Sequence, residues 1–350
     1  MSEDAPKEVG ELGEFALIER LCARLRPSFQ RSEVIVGIGD DAAVIDAGGG
    51  RCWVVTCDVQ VQGRHFPAKG VSGFHVGHKA LAVNISDIAA MGGRPRYAIA
   101  SLGMRADTPV SFVEEVYDGL NSVANRWSVL LLGGNVTRTE ESFFIDIFLM
   151  GEAERESVLL RSTAKAGDQI LVTGSLGDAA AGLHLVAHPE IQVRDDTHTI
   201  LTYAFLRPQP RVEEGLAIAQ LRLASAMMDL SDGLTGDLGH LCRASGVGAV
   251  LWAHALPLSA SALELASLTR DNPVEWALSG GEDYQLLLTA PVSAVPALQE
   301  GVRAAGGLPL TPIGEIVPAS QGIRLKQGDE LTPITSRAWD HFRPTGEGYA

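Results

Sequence analysis

The chain has no run of about 18 apolar residues, so no membrane span is expected. Cysteine is scarce: only Cys22, Cys52, Cys57 and Cys242 occur in 350 residues. No two form a C-x-x-C pair and no Cys/His spacing suits zinc, so reduced thiols in a cytoplasmic protein are expected. Positive charge is short as well. Lys and Arg number 28 against 43 Asp and Glu, a net charge of −15, which argues against nucleic acid as the main partner. An anionic ligand would have to be received by metal ions, backbone amides or a few local bases. The N-terminal MSEDAPKEVGELGEF is acidic and polar, unlike a signal or transit peptide. Also missing are the P-loop G-x-x-x-x-G-K-[ST], a G-x-G-x-x-G opening a βαβ unit, H-E-x-x-H, G-x-S-x-G and the kinase H-R-D loop. If ATP binds here, it binds on another architecture.

What is present is glycine beside aspartate. Glycines number 38, and carboxylates recur at the ends of apolar runs: GIGDDAAVI (37–45), CDVQVQGRHF (57–66), NISDIAAMGG (84–93), MMDLSDGL (227–234) and LSGGEDY (278–284). Glycine allows backbone and ligand to approach closely, and the neighbouring element fixes the carboxylate. Five such sites suggest carboxylates converging on a hard divalent cation, chiefly Mg²⁺, which in enzymes usually accompanies phosphates.

A composition of 46% hydrophobic and 20% charged residues suits a globular protein, and the length suits about two domains. Residues 14–26 read as a helix with Phe15, Ile18, Leu21, Cys22 and Leu25 on one face, ended by Pro27. Strands are expected at 34–38, 42–46 and 53–57, and a helix at 74–91 whose apolar face holds Leu81, Ile85, Ile88 and Ala89. Asn84 and Asp87, three apart, share another face of it. A strand at 97–103, a helix at 109–126 with Thr108 as N-cap and Pro109 in its first turn, a strand at 128–132 running into GGNVTR, and a strand at 143–150 complete a mixed α and β half. The polar stretch 151–167 is a candidate boundary. Beyond it lie a strand, glycine turn and helix over ILVTGSLGDAAAGLHLV, a strand at 224–229, a helix at 234–244 and strands at 284–289, 313–317 and 322–326.

Taken singly, each acidic motif has a plain reading. Asp40–Asp41 and Asp58 suit turns at strand ends, and Glu282–Asp283 suits a hairpin turn. Ser231 and Asp232 suit a helix N-cap, although Asp229 precedes that cap. Asp87, with apolar neighbours on both sides, suits the edge of a core unless it is paired or metal-bound. His65 suits a packed loop histidine, and Arg161 and Lys165 a solvated linker.

Taken together, GEFALIERL, GIGDDAAVI, GRHF, HKALAVNISDIAAMGGRP, GGNVTR, RSTAKAGD, VTGSLGDAAAGL, FLRPQPR, MDLSDGLTGDLGHL, LSGGEDYQL and WDHF resemble the thiamine-monophosphate kinase family, of the superfamily that includes aminoimidazole ribonucleotide synthetase. The likeness runs from about residue 10 to about residue 343. It implies an α+β, two-domain fold: an N-terminal mixed-sheet domain, 1–150, that binds ATP and Mg²⁺ and pairs into a homodimer, and a layered C-terminal α/β domain, 151–350. It implies transfer of the γ-phosphoryl group of ATP to thiamine monophosphate. That acceptor is already largely ionised near neutral pH, its second pKa being about 6. No catalytic base or nucleophile is then required, only charge neutralisation and in-line positioning. By the same resemblance Asp41, Thr56, Cys57 (through its backbone), Asp58, Asp87, Asn135, Asp229 and Asp232 would hold several Mg²⁺ ions. Gly134, Asn135, Arg161 and Ser231 would contact ATP, and His65, Glu282 and Trp339 the thiamine phosphate.

Two positions depart from the family pattern. Asn135 stands for an aspartate, which removes one negative charge, and Cys57 for a threonine, which a backbone carbonyl ligand would survive. Other readings are an ATP-dependent amidine-forming ligase of the same superfamily and a nucleotide- or thiamine-phosphate-binding protein without turnover; Cys22 on a helix core face counts against a selenophosphate synthetase, and the ending GEGYA, without a cysteine, against a hydrogenase-maturation relative. His65, GGED and WDHF favour the thiamine branch.

Overall fold

Residues 8–25, 31–334 and 342 are described by a computed structural model. Two helices lead in, α1 (Val9–Leu12) and α2 (Glu14–Leu25). The helix expected at 14–26 is therefore present, but Ile18, Leu21 and Leu25 on its apolar face are exposed rather than packed. Six strands follow: β1 (Val34–Val36), β2 (Ala43–Gly48), β3 (Arg51–Val61), β4 (Arg94–Met104), β5 (Leu130–Arg138) and β6 (Phe144–Glu154). They form one sheet in the order β1-β2-β3-β6-β4-β5, antiparallel except for the β4–β5 pair. Helices α3 (Gly73–Ala90) and α4 (Val110–Trp127) interrupt the strands, and α4 makes the crossover that a parallel pair needs. Thr108 is not the cap of α4; Pro109 takes that place, with no side-chain cap. GGNVTR also differs from expectation, lying within β5 rather than after it.

Helix α3 is apolar nearly all round and is buried along most of its length, as expected for a helix inside a core. Its backbone meets that of α4 through glycine: a Cβ at Gly77 would stand 1.8 Å from the Val116 carbonyl oxygen, and one at Gly119 would stand 2.1 Å from that of Phe74.

The second half carries β7 (Asp168–Thr173), α5 (Asp178–Ala187), α6 (Asp195–Leu206), α7 (Val212–Leu221), β8 (Ala226–Asp229), α8 (Leu234–Ser245), β9 (Val247–Trp252), α9 (Ala260–Thr269), α10 (Pro273–Ser279), β10 (Leu286–Pro291), α11 (Val295–Ala304), β11 (Leu310–Pro318), β12 (Ile323–Gln327) and β13 (Glu330–Pro333). Seven strands order as β13-β12-β9-β11-β7-β10-β8. β7, β8 and β10 are buried on both faces, so they read as continuous apolar runs rather than as alternation. One face packs on Leu176, Leu238, Leu241 and Ile313, the other on Ile218, Leu288 and Leu298. Edge strand β8 lies against α3, where the hydroxyl of Ser86 donates to Asp229 Oδ2 across the two halves.

Candidate active site

Strand alternation sorts the residues of β3. Side chains opposite one another across a ladder point to the same face. Asp58 pairs with Ile147, which pairs with Ala100, which pairs with Gly134; Ile147 and Ala100 are buried under α3. Asp58 therefore faces inward, toward α3. The backbone N–H of Asp58 donates to Asn84 Oδ1 at 3.0 Å, and the hydroxyl of Thr56, two residues earlier, donates to Asp87 Oδ2 at 2.6 Å. The shared face of Asn84 and Asp87, expected from their spacing, is thus the face that meets β3.

Asp229 at the end of β8 joins Asp58 and Asp87 from the other half of the chain. Charge on Asp229 raises the pKa of Asp41, Asp58, Asp87, Asp232 and Asp237, which places all of them around one cleft. Burial is the larger cause in each case. It pushes Asp58 up to about 6 and Asp232 up to about 7, and lifts Asp41, Asp87 and Asp237 well above the usual carboxylate range. Asp229 is itself raised by burial, against the bond from Ser86. Clustered carboxylates that resist ionisation are what a bound cation would relieve.

Asp41 is held by Arg161. The guanidinium Nη2 donates to Asp41 Oδ1, Nε lies 3.4 Å from Asp40 Oδ1, and the backbone N–H of Arg161 donates to Asp40 Oδ2 at 3.2 Å. Asp41 Oδ2 is buried without a hydrogen-bond partner. Such an orphaned oxygen fits a cation ligand. Among the described residues no three His, Cys, Asp or Glu side chains close on one point to hold a metal alone. Mg²⁺ can be held by one or two carboxylates, with water and phosphate oxygens completing its shell.

Cys57 and Asn135 lie elsewhere. The Cys57 thiol projects to the opposite, outer face of the sheet and donates to Asp146 Oδ1 at 3.1 Å; burial and that carboxylate push its pKa up to about 12. Asn135 pairs with Ser101, which pairs with Asp146, so it shares the outer face. Their side chains are not brought together with the inward carboxylates. Gly134 lies in the inward row, and a Cβ there would stand 1.8 Å from the Ala100 carbonyl oxygen, so only glycine fits.

His65 and Glu282 are brought together by a residue the sequence reading passed over. Lys79 is 2% exposed; its ammonium donates to the His65 carbonyl oxygen at 3.0 Å, pairs with Glu282 Oε1 at 2.7 Å and sits 3.9 Å over the Phe205 ring. Its only sequence signal is a lysine within the apolar run HKALAVN. His65 Nδ1 accepts from the Val61 N–H at 2.9 Å, which leaves the ring proton on Nε2. Glu282 holds φ 71° and Tyr284 φ 47°, left-handed conformations outside glycine that concentrate at functional sites. Ser231 touches the same loop, its carbonyl accepting from the Glu282 N–H at 2.7 Å. Asp237 supports the Asp232 N–H at 3.1 Å and was likewise passed over. Asp283 is no solvated turn: it accepts from the N–H groups of Gly177 and Ala179 and opens α5. Trp339 lies outside the described residues.

Known proteins share this fold. Residues 39–153 match the family model "AIR synthase related protein, N-terminal domain" and residues 165–326 match "AIR synthase related protein, C-terminal domain". Thiamine-monophosphate kinase of Salmonella typhimurium is 37% identical over 94% of this chain and 98% of its own length. The Bacillus subtilis enzyme of the same name is 34% identical over 95% and 100%. The solved structure "AaThiL complexed with AMPPCP and TMP" superposes with a TM-score of 0.83 at 34% identity, over 96% of this chain and 99% of that one. Two α+β domains of the AIR synthase type, the carboxylates between them and near-full-length likeness lead to one conclusion: the chain belongs to the thiamine-monophosphate kinase family.

Proposed function

We propose that the acidic cleft transfers the γ-phosphoryl group of ATP directly to the phosphate of thiamine monophosphate, giving thiamine diphosphate and ADP. The observation that carries this is that Asp58 on β3, Asp87 on α3 and Asp229, bonded to Ser86 of α3, come together from both halves of the chain. The solved relative named above as complexed with AMPPCP and TMP supports the substrate pair. The acceptor oxygen is already charged, so the chain has only to position two polyanions and offset their repulsion. Mg²⁺ bound to these carboxylates would supply that neutralisation and a fixed in-line geometry.

The chain's own residues have distinct parts. Thr56 and Ser86 orient Asp87 and Asp229 by hydroxyl donation. Arg161, paired with Asp41, would offer its fork to phosphate if the Asp41 carboxylate held a metal ion instead. Ser231 and Gly134 would contact the nucleotide; the Asn135 side chain, on the outer face of the sheet, would not reach it within this cleft. His65 and Glu282, fixed by Lys79, receive the thiamine phosphate, with Trp339 as a third contact. ATP and metal are assigned to the N-terminal unit, 1–150, closed by 151–350. Among the described residues no helix is long and apolar enough to cross a membrane.

Asp87→Asn keeps the bond from Thr56 in reach but removes a metal ligand. Turnover should fall about a thousandfold, several kcal/mol of charge stabilisation, with an unchanged circular dichroism spectrum. Retained turnover would remove Asp87 from the metal site.

A further inference from the structure

A second cavity lies across the 282–285 segment from the acidic cleft. Glu282 and Tyr284 face the cleft: burial, then Glu282, Asp58, Asp229 and Asp87, raise the Tyr284 hydroxyl well above its usual range. Asp283 and Gln285 line the cavity, which holds about 650 Å³, a size typical of small-molecule sites.

Three arginines face it: Arg126, Arg207 and Arg211. Among the described residues none of them pairs with a carboxylate. The Arg207 guanidinium stacks on Phe74 at 4.7 Å and Tyr203 at 4.4 Å, and its Nε is buried without a hydrogen-bond partner. Arg211 Nε donates to Gln285 Oε1 at 2.9 Å; burial and the nearby Arg126 charge lower its pKa, against the pull of Glu214 and Asp283. Arg126 donates to Gln209 Oε1.

The two acids lining the cavity are committed elsewhere. Asp178 accepts from the hydroxyls of Ser175 and Ser259, and Asp283 from two backbone N–H groups. In a chain of net charge −15, three guanidinium groups turned to one cavity, none of them in a salt bridge among the described residues, outnumber the two acids Asp178 and Asp283 that line it. Arg207 and Arg211 come from FLRPQPR, a motif that the acidic cleft does not use. The planar fork of arginine matches phosphate oxygens in pairs, and stacked rings hold that fork in place.

We propose that this cavity is a second anion site, which binds the phosphoryl group of a small phosphate ester or of free diphosphate and is separate from the acidic cleft. The sources share their chemistry, and calorimetric titration of the intact protein in excess chelator separates them. Inorganic diphosphate, AMP and ADP serve as separate probes. Chelator leaves the acidic cleft repulsive to phosphate. One site per chain is expected, weakened by added salt and about tenfold or more by Arg207→Gln or Arg211→Gln. Arg126 is exposed, so Arg126→Gln tests the site without threatening the fold and should weaken binding severalfold. Arg161→Gln, in the acidic cleft, should leave binding unchanged. Equal binding of diphosphate and ADP assigns the site to the phosphoryl group alone; preference for a nucleotide assigns it to an ester whose flat part meets Phe74 and Tyr203. No binding of any probe, binding indifferent to the three arginine replacements, or binding lost in Arg161→Gln overturns the proposal.

Discussion

Lys79 carries its charge into a helix that is buried along most of its length, and the cost of doing so explains its partners. Burial lowers its pKa, and the Glu282 carboxylate opposes that fall. Breaking a buried pair by removing one member typically costs about 3–5 kcal/mol, whereas replacing both by neutral groups costs far less. Glu282 keeps 19% of its side chain exposed, so the lower end is expected here. Lys79→Met should destabilise by about 3 kcal/mol and raise KM for the acceptor more than it lowers kcat. Lys79→Met with Glu282→Gln should recover most of the stability in denaturant melts and none of the acceptor affinity. Recovery of both would make the pair merely structural. At this scale the sequence was readable where partners are local. The i, i+3 spacing of Asn84 and Asp87 announced a shared face. The partner of Lys79, 203 positions away, left no trace near it, and neither did the bonds that take Asp283 out of a turn and onto the start of α5.

At the scale of elements, the first sheet has one face covered by α3 and α4 and another on which, among the described residues, apolar side chains are exposed. On that second face Ile99 pairs with Phe148, and the two are 41% and 40% exposed; Val59 and Leu130 join them at 41% and 58%. A contiguous apolar patch on a sheet face marks an association surface. We infer that two copies of the chain meet here as a homodimer. Phe148→Asp or Ile99→Asp should shift sedimentation velocity from dimer to monomer; a chain already monomeric at micromolar concentration would contradict this. Most strands of this half were legible, because one buried face imposes alternation. β5 was cut short in the reading because GGNVTR looks like a turn, whereas its glycines allow β5 to approach β4 closely. The helices packed on the second sheet were less legible: α6, α7 and α9 carry apolar residues round much of their surface, so no single face stands out.

For the whole molecule, an acidic chain gathers its carboxylates where burial opposes their charge. The consequence for stability has a definite sign. Asp58 and Asp232 have folded pKa values of about 6 and about 7 against an ordinary 3.8, so the native state holds their protons more tightly than the unfolded chain does. That stabilisation is complete below the unfolded value and is lost as pH rises through the folded values. The metal-free protein should therefore lose thermal stability between about pH 4 and pH 8, by roughly 2–4 °C for each kcal/mol lost. Mg²⁺ should flatten the slope. A melting temperature that rises over that range in chelator would contradict the reading of the cleft.

The central claim is tested most directly by product formation. Purified protein is incubated with ATP, Mg²⁺ and thiamine monophosphate, and thiamine diphosphate is measured, with chelator and unphosphorylated thiamine as controls. The account predicts thiamine diphosphate that requires both the metal and the monophosphate. ATP binding with no product, or equal turnover in chelator, would contradict it.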